Sequence, residues 1–276
     1  MTILIIGKNS FIAKTFINEC YKQNICFITC SHSTVPEDLS KFTSVINFSI
    51  NPLFFNTNYS TEIDQDALIA EKVSKNEHIK YILLSSRTVY KNNKDLIPMN
   101  ESNELDYNST RIYAINKIKS ELAVSKIISP INLLIIRASN VFGVEIGRHT
   151  FMGIAQQKLT KELEILLDVS KETIRDFIPV DYLAKVVLKL IILDAKGIYN
   201  VGTGLKTNLD EICQAIIKGY GKGVLTELPN VVIKDAFQLN INKQVNITND
   251  RLSKTDLLTY AGYVGKKLKE KTDGNK

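Results

Sequence analysis

Short runs of Ile, Val, Leu and Phe recur along the chain, separated by longer stretches of mixed polarity. Residues 3–6 (ILII), 25–30 (ICFITC), 45–48 (VINF), 81–84 (YILL), 132–136 (NLLII) and 198–201 (IYNV) are too short for helices. Several of them lack polar alternation, as expected of strands in a parallel sheet covered on both faces. Residues 11–21, 62–75, 110–128 and 181–193 read as the intervening helices, with Asp181 as an N-cap behind Pro179. Alternating strands and helices predict an α/β fold with a doubly wound sheet. Residues 31–44 leave room for one short helix but not for a helix and a full strand, so one strand of the usual set is expected to be short or missing. After residue 208 a helical segment at 209–218 gives way to irregular Gly-, Asn- and Lys-rich sequence.

Composition changes this picture little. The chain of 276 residues is 44% hydrophobic and 23% charged, ordinary for a globular protein able to bury one large core. No apolar run approaches the roughly 20 residues of a membrane span, and the opening MTILIIGKNS reads as a first strand, not a leader. The last eleven residues carry +3 of the chain's +6. They read as a solvated end, and no aromatic–basic interleaving points to nucleic acid. Cys20, Cys26, Cys30 and Cys213 form no CxxC pair and have no histidine at ligand spacing, which argues for buried free thiols in a reducing cytoplasm and against a metal site.

The first strand runs into Gly7-Lys8-Asn9-Ser10-Phe11-Ile12-Ala13 and then a helix. A dinucleotide fold places a tight turn here, so that the helix N-terminus meets a pyrophosphate. Gly7 satisfies that pattern, while Ser10 stands where a second glycine is usual; an ordinary strand–helix turn is the competing reading. At the end of the second strand Ser31-His32-Ser33-Thr34 offers no acid for a ribose diol. Its hydroxyls and His32 suit a 2′-phosphate, which favours NADP over NAD, although an exposed polar turn accounts for them equally well.

Tyr113 and Lys117 are four residues apart on a helix and share a face, with Ile115, Ile118 and Leu122 forming the opposite, buried stripe. A tyrosine near its ordinary pKa of about 10 is a poor acid–base at neutral pH, and a neighbouring lysine lowers it. Ser86, at the end of the fourth strand, is placed to hold a substrate oxygen beside the phenol. The same YxxxK spacing occurs at Tyr90–Lys94, in a loop-like stretch, and at Tyr263–Lys267, in a Gly-containing C-terminal stretch with no strand-end serine before it; for Tyr113–Lys117 the plainer alternative is an exposed helical pair.

Taken in order, GKNSFIA (7–13), VINFS (45–49), SSRTVY (85–90), YAINK (113–117), RASNVFG (137–143), RDFIPVDYLA (175–184) and YNVGTG (199–204) resemble the extended short-chain dehydrogenase/reductases, the nucleotide-sugar epimerase/dehydratase group, along about three quarters of the chain. The resemblance implies a Rossmann-like dinucleotide-binding domain at 1–143 with 174–204, and a smaller substrate-binding lobe at 144–173 with 205–276. It assigns Ser86, Tyr113 and Lys117 to catalysis. Gly7, Ser10, Phe11, Ile12, Ser31, Phe48 and Ser49, with Tyr113 and Lys117, are assigned to the cofactor. Ser86, Asn140 and Arg175 are assigned to the substrate, the last through the diphosphate, unless Arg175 pairs with Asp176 or another carboxylate. Arg148 and His149 read as an exposed loop or as a face toward substrate.

Dehydratases of the group carry Asp-Glu directly after the triad hydroxyl, where this chain has Arg87-Thr88. Lys91 replaces a glycine and Asp64 replaces an asparagine. The expectation is therefore a cytoplasmic NAD(P)-dependent reductase of a nucleotide-activated 4-keto (deoxy)sugar in surface-polysaccharide biosynthesis; oligomeric state is open, and the resemblance alone implies that two copies pair through the helix bearing Tyr113. A 4-epimerase with tightly held NAD and a non-catalytic dinucleotide sensor remain as alternatives.

Overall fold

The computed structural model describes residues 1–91 and 96–274. The chain begins with β1 (Thr2–Ile6), α1 (Phe11–Lys22), β2 (Cys26–Cys30), β3 (Ser44–Asn47), α2 (Gln65–Val73), β4 (Lys80–Ser86), α3 (Ile112–Ile127) and β5 (Leu133–Ala138). It continues through β6 (Asn140–Phe142), α4 (Phe151–Glu162), β7 (Glu164–Leu167), β8 (Ile174–Arg175), β9 (Phe177–Pro179), α5 (Val180–Ile192) and β10 (Gly197–Val201). β11 (Thr207–Asn208), α6 (Leu209–Tyr220), β12 (Val224–Glu227), α7 (Asn242–Thr248) and α8 (Lys254–Asp273) complete it.

Six strands form one parallel sheet in the order β10-β5-β4-β3-β1-β2. All six are the strands expected from the apolar runs. Between β2 and β3 there is only a 3-10 turn, His32–Thr34, so β3 pairs with the other side of β1 and the anticipated strand is missing. Along β1, Ile3 and Ile5 enter the core under α1 and α5, while Leu4 and Ile6 enter the opposite core against α2 and α3. That period of two, with both faces covered, explains a continuous TILII strand. β2 is the sheet edge and alternates between exposed and half-buried residues. Cys26 is therefore exposed, against the expectation of a buried thiol, and the other three cysteines are buried.

A separate apolar cluster joins Phe142, Met152, Leu159, Ile165 and Phe177 to α6 and α8. The C-terminal stretch read as a solvated end is mostly the twenty-residue helix α8, capped by Ser253, whose side chain accepts from the Asp256 N–H. Its Leu257, Ala261, Val264 and Leu268 are fully buried, and the lysines occupy the other face. Gly262 and Gly265 weaken the helical pattern in the sequence, and Gly265 together with Gly219 of α6 is what lets the helix dock. A Cβ on Gly265 would fall 2.0 Å from the Ile216 carbonyl oxygen, so α6 and α8 meet backbone to backbone. Asp181 is not the N-cap of α5: Pro179 is. Asp181 stands in the first turn, where a carboxylate favours the helix dipole, and accepts from the Tyr260 hydroxyl at 2.7 Å.

Candidate active site

The carboxyl ends form two steps: β2, β1 and β3 end level, and β4, β5 and β10 end three residues further on. Ile6 pairs with Cys30 on one side and Asn47 on the other, Asn47 with Leu83, and Ser86 with Ala138. Gly7 leaves β1 at φ +80° and donates its N–H to the Cys30 carbonyl at 3.0 Å. A Cβ there would lie 2.6 Å from the Ser49 nitrogen and 2.9 Å from the Phe48 carbonyl carbon, so this turn requires glycine on both counts. Ser10 caps α1, its hydroxyl accepting from the Ala13 N–H at 3.2 Å. The amides of Phe11 and Ile12, at the helix start, have no intrahelical acceptor and face outward as anion donors. The glycine turn and these amides fit a dinucleotide pyrophosphate.

The neighbouring residues are arranged less simply. The Phe48 ring packs in the core, 5.3 Å from Phe16, so only the Phe48–Ser49 backbone borders the turn. The Ser49 N–H and hydroxyl both donate to the Asn47 side-chain oxygen. Ser31 bonds to the Ser33 and Thr34 hydroxyls at 2.9 Å each, a closed local set at the end of β2. Arg148 is half-buried, not simply an exposed loop residue: it pairs with Glu145 at 2.8 Å and lies over the Phe11 ring, while His149 is exposed.

Tyr113 stands at the start of α3, its ring stacked on Phe55 at 5.2 Å and 12°, and its hydroxyl is bonded to no described residue. Lys117, one turn on, is buried. Its ammonium donates to the Leu84 carbonyl at 2.9 Å and sits 3.5 Å from Asp66. Burial opposes its charge, but Asp66, Tyr113 and Asp64 outweigh burial and hold its pKa above the ordinary lysine value. The Tyr113/Lys117 face is thus the inward face of α3, together with Asn116 and Ser120. Ile118 is buried as expected and Leu122, placed in the buried stripe by its spacing, is 44% exposed. Beneath the pair, Asp66 accepts from Asn47 and Tyr81, and Asp64 accepts from Tyr59 and Ser120. Burial and the neighbouring Asp66 raise the Asp64 carboxyl. Asp64 therefore serves as the N-cap of α2 inside a buried polar cluster.

Of the other YxxxK pairs, Tyr90 is buried and bonded to Asn200 and Arg137, while Lys94 lies outside the described residues. Tyr263 and Lys267 do lie on a helix, α8, but Tyr263 is exposed and Lys267 is half-buried, its ammonium paired with Glu270.

Ser86 ends β4, and its hydroxyl oxygen accepts from the Thr88 N–H at 3.2 Å and the Thr88 hydroxyl at 3.0 Å. A cavity of about 750 Å³ opens beside it, lined by Arg87, Thr88, Tyr90, Arg111, Lys234 and Asp235 among others. Arg111 pairs with Asp235. Arg175 does not pair with Asp176, whose carboxylate instead accepts from Thr203 and Gly204. Arg175 donates to the Lys234 carbonyl at 3.3 Å, and its buried Nε has no partner. Asn140 on β6 bonds through its N–H to the Asp176 carbonyl, next to Arg175. Arg87, Arg111 and Asp235 escaped the sequence reading as site residues, since Arg111 and Asp235 are 124 positions apart and share no motif.

A sequence profile of the NAD dependent epimerase/dehydratase family matches residues 54–202. Among solved structures, dTDP-glucose 4,6-dehydratase from Bacillus anthracis in complex with NAD matches with 16% identity and a TM-score of 0.78, covering 100% of both chains. A dTDP-4-dehydrorhamnose reductase from Clostridium acetobutylicum matches with 16% identity and a TM-score of 0.75, covering 97% of this chain and 99% of its own. UDP-glucose 4-epimerase from Bifidobacterium longum, in complex with NAD+ and UDP, matches with 18% identity and a TM-score of 0.74, covering 97% and 98%. At these identities the likeness establishes the fold, and the three reactions differ.

Proposed function

The chain belongs to the NAD dependent epimerase/dehydratase family, and from that premise we propose that it is a nicotinamide-dependent reductase of a nucleotide-activated 4-keto sugar, working in the cytoplasm in surface-polysaccharide biosynthesis. The observation that carries the reading is the placement of Ser86 at the end of β4 together with Tyr113 over a buried, charge-fixed Lys117. A bound nicotinamide dinucleotide would supply the hydride. Ser86 keeps its own proton to donate to a carbonyl oxygen, because both of its present bonds are accepted ones. Tyr113 delivers the proton to the new alkoxide, and the adjacent ammonium stabilises the phenolate left behind.

Dehydration is disfavoured because the positions after Ser86 hold Arg87 and Thr88. A guanidinium that stays charged at neutral pH cannot exchange protons with a leaving hydroxyl. We assign NADP as the cofactor: the end of β2 presents the Ser31, Ser33 and Thr34 hydroxyls with no carboxylate, and Lys8 lies close by. Gly7, Ser10, Phe11, Ile12 and the Phe48–Ser49 backbone would hold the dinucleotide. Asn140 and Arg175 would hold the sugar diphosphate, with residues 144–173 and 205–276 as the substrate lobe. Pairing of two copies through the α3 face belongs to the same proposal and accounts for exposed Leu122.

A thermal-shift panel of NADH, NADPH and UDP-, GDP-, CDP- and dTDP-sugars tests the reading, since ligands that bind only the folded state raise its stability. NADPH and one nucleotide class are expected to raise the melting temperature. Stabilisation by no dinucleotide would overturn the proposal, and NAD that co-purifies with the protein would turn it toward the epimerase.

A further inference from the structure

We propose that the sugar held in the cavity bears a carboxylate on the carbon next to the reacting one, and that Arg87 is the residue that selects it. The inference rests on the nucleotide-sugar reading above. Arg87 directly follows Ser86, so its Cα lies about 3.8 Å from that of the residue assigned to the reacting oxygen. Its side chain lines the cavity together with Thr88, whose hydroxyl is bonded to Ser86. Arg87 is only 6% exposed, with its guanidinium carbon 3.9 Å from the centroid of the Phe237 ring. Its Nε is buried with no hydrogen-bond partner, and among the described residues no carboxylate stands within ion-pair distance of it.

Two of the other arginines nearby have carboxylates: Arg137, also buried, is held by both oxygens of Glu121, and Arg111 has Asp235. Arg175 has only the Lys234 carbonyl, and its own buried Nε is free for the diphosphate. Burial pushes the Arg87 guanidinium down to about 9, and Asp235, which pairs with Arg111 and reaches Arg87 only at longer range, does not offset it. An anion entering the cavity would relieve that cost, and a carboxylate matches the planar guanidinium fork with two parallel hydrogen bonds.

The chemistry of the sugar decides where that anion sits. The diphosphate hangs on the anomeric carbon, across the ring from a reacting C4, and Arg175 with its free Nε is available to it. The substituent on C5 is adjacent to C4, as Arg87 is adjacent to Ser86. A neutral hydroxymethyl group at that place would leave the Arg87 charge unpaired; the carboxylate of a uronic acid would pair it.

Calorimetric affinities of the NADP+-loaded full chain for matched pairs, UDP-glucuronate against UDP-glucose and GDP-mannuronate against GDP-mannose, test this. The acidic member of whichever pair binds is expected to bind at least tenfold tighter. Arg87→Met should lose affinity for the acidic member alone, and Arg87→Lys should keep part of the preference. Equal affinity for both members in the unsubstituted protein overturns the inference and leaves the nucleotide-sugar reading standing. So does an Arg87→Met variant that weakens both members by the same factor, because that places Arg87 on the diphosphate. If no member of either pair binds, this inference falls, and the four-nucleotide thermal-shift panel decides the nucleotide-sugar reading separately. Should Arg87→Met not fold, the ratio in the unsubstituted protein decides alone.

Discussion

Gly7→Ala probes the tightest backbone contact at the cofactor end of the sheet, and Gly147→Ala is its matched control. Both glycines have positive φ, +80° and +84°. A left-handed alanine costs about 1–2 kcal/mol at either position, partly offset by about 0.4–1 kcal/mol of lost unfolded-state entropy. The two sites differ in what the new methyl meets. At Gly147 it meets nothing within 4 Å. At Gly7 it meets three backbone atoms, the Ser49 nitrogen at 2.6 Å, the Phe48 carbonyl carbon at 2.9 Å and the Ser49 Cα at 3.0 Å. None of these can rotate away, so the β3 end must move, adding the roughly 1–3 kcal/mol typical of overpacking. Denaturant unfolding should show Gly147→Ala within about 1 kcal/mol of the unsubstituted protein and Gly7→Ala destabilised by roughly 2–4 kcal/mol. The same shift of the Phe48–Ser49 backbone should weaken dinucleotide binding at least tenfold in Gly7→Ala and leave it unchanged in Gly147→Ala. Equal losses for the two variants would refute the claim that the Gly7 turn is fixed by contact with β3.

Two further outcomes follow from buried charges. Glu121→Gln removes the carboxylate shared by Arg137 and Ser85 and leaves a buried guanidinium unpaired. Breaking such a pair costs on the order of 3–5 kcal/mol, so the midpoint of denaturation should fall accordingly, and a loss below about 1 kcal/mol would show the pair to be unimportant. Asp176, fully buried behind the site, has its carboxyl raised by burial to about 6 from an ordinary 3.8. Because the native state then binds the extra proton between those values, this group's contribution is full below 3.8 and is lost as pH rises through 6. It amounts to about 3 kcal/mol at 1.36 kcal/mol per pKa unit. The stability margin over Asp176→Asn should therefore be larger near pH 3.5 than at pH 7, and a margin independent of pH would contradict the assignment.

The sheet was legible because its central strands β1, β4 and β5 are buried on both faces and show as nearly unbroken apolar runs, while the edge strands β2 and β10 still stand out as short apolar segments. α8 was not, because the glycines that let it press on α6 also weaken a helical pattern, and its lysines resemble a tail. Leu122 shows the limit of periodicity: its spacing matches Ile118, but α3 turns its polar Asn116–Lys117–Ser120–Glu121 face inward, and the buried charges that make this possible, Asp64, Asp66 and Arg137, come from distant segments. The Tyr113–Lys117 pair could be picked from three candidates by its position in the motif order, whereas Asp66 beneath it and Phe55 against it carry no local signal. The ring of Phe48 went the other way, into the core, because a residue at a strand end can line a groove with its backbone alone.

The central claim is that Tyr113 delivers the proton in a nicotinamide-dependent reduction. It is tested most directly by following NADPH absorbance at 340 nm during turnover of a nucleotide-activated 4-keto sugar. Unsubstituted protein should oxidise NADPH in step with sugar reduced. Tyr113→Phe should lose at least about 10²-fold in kcat, while its melting temperature stays unchanged and it still binds the dinucleotide. A Tyr113→Phe variant that reduces the sugar at the full rate would contradict the account.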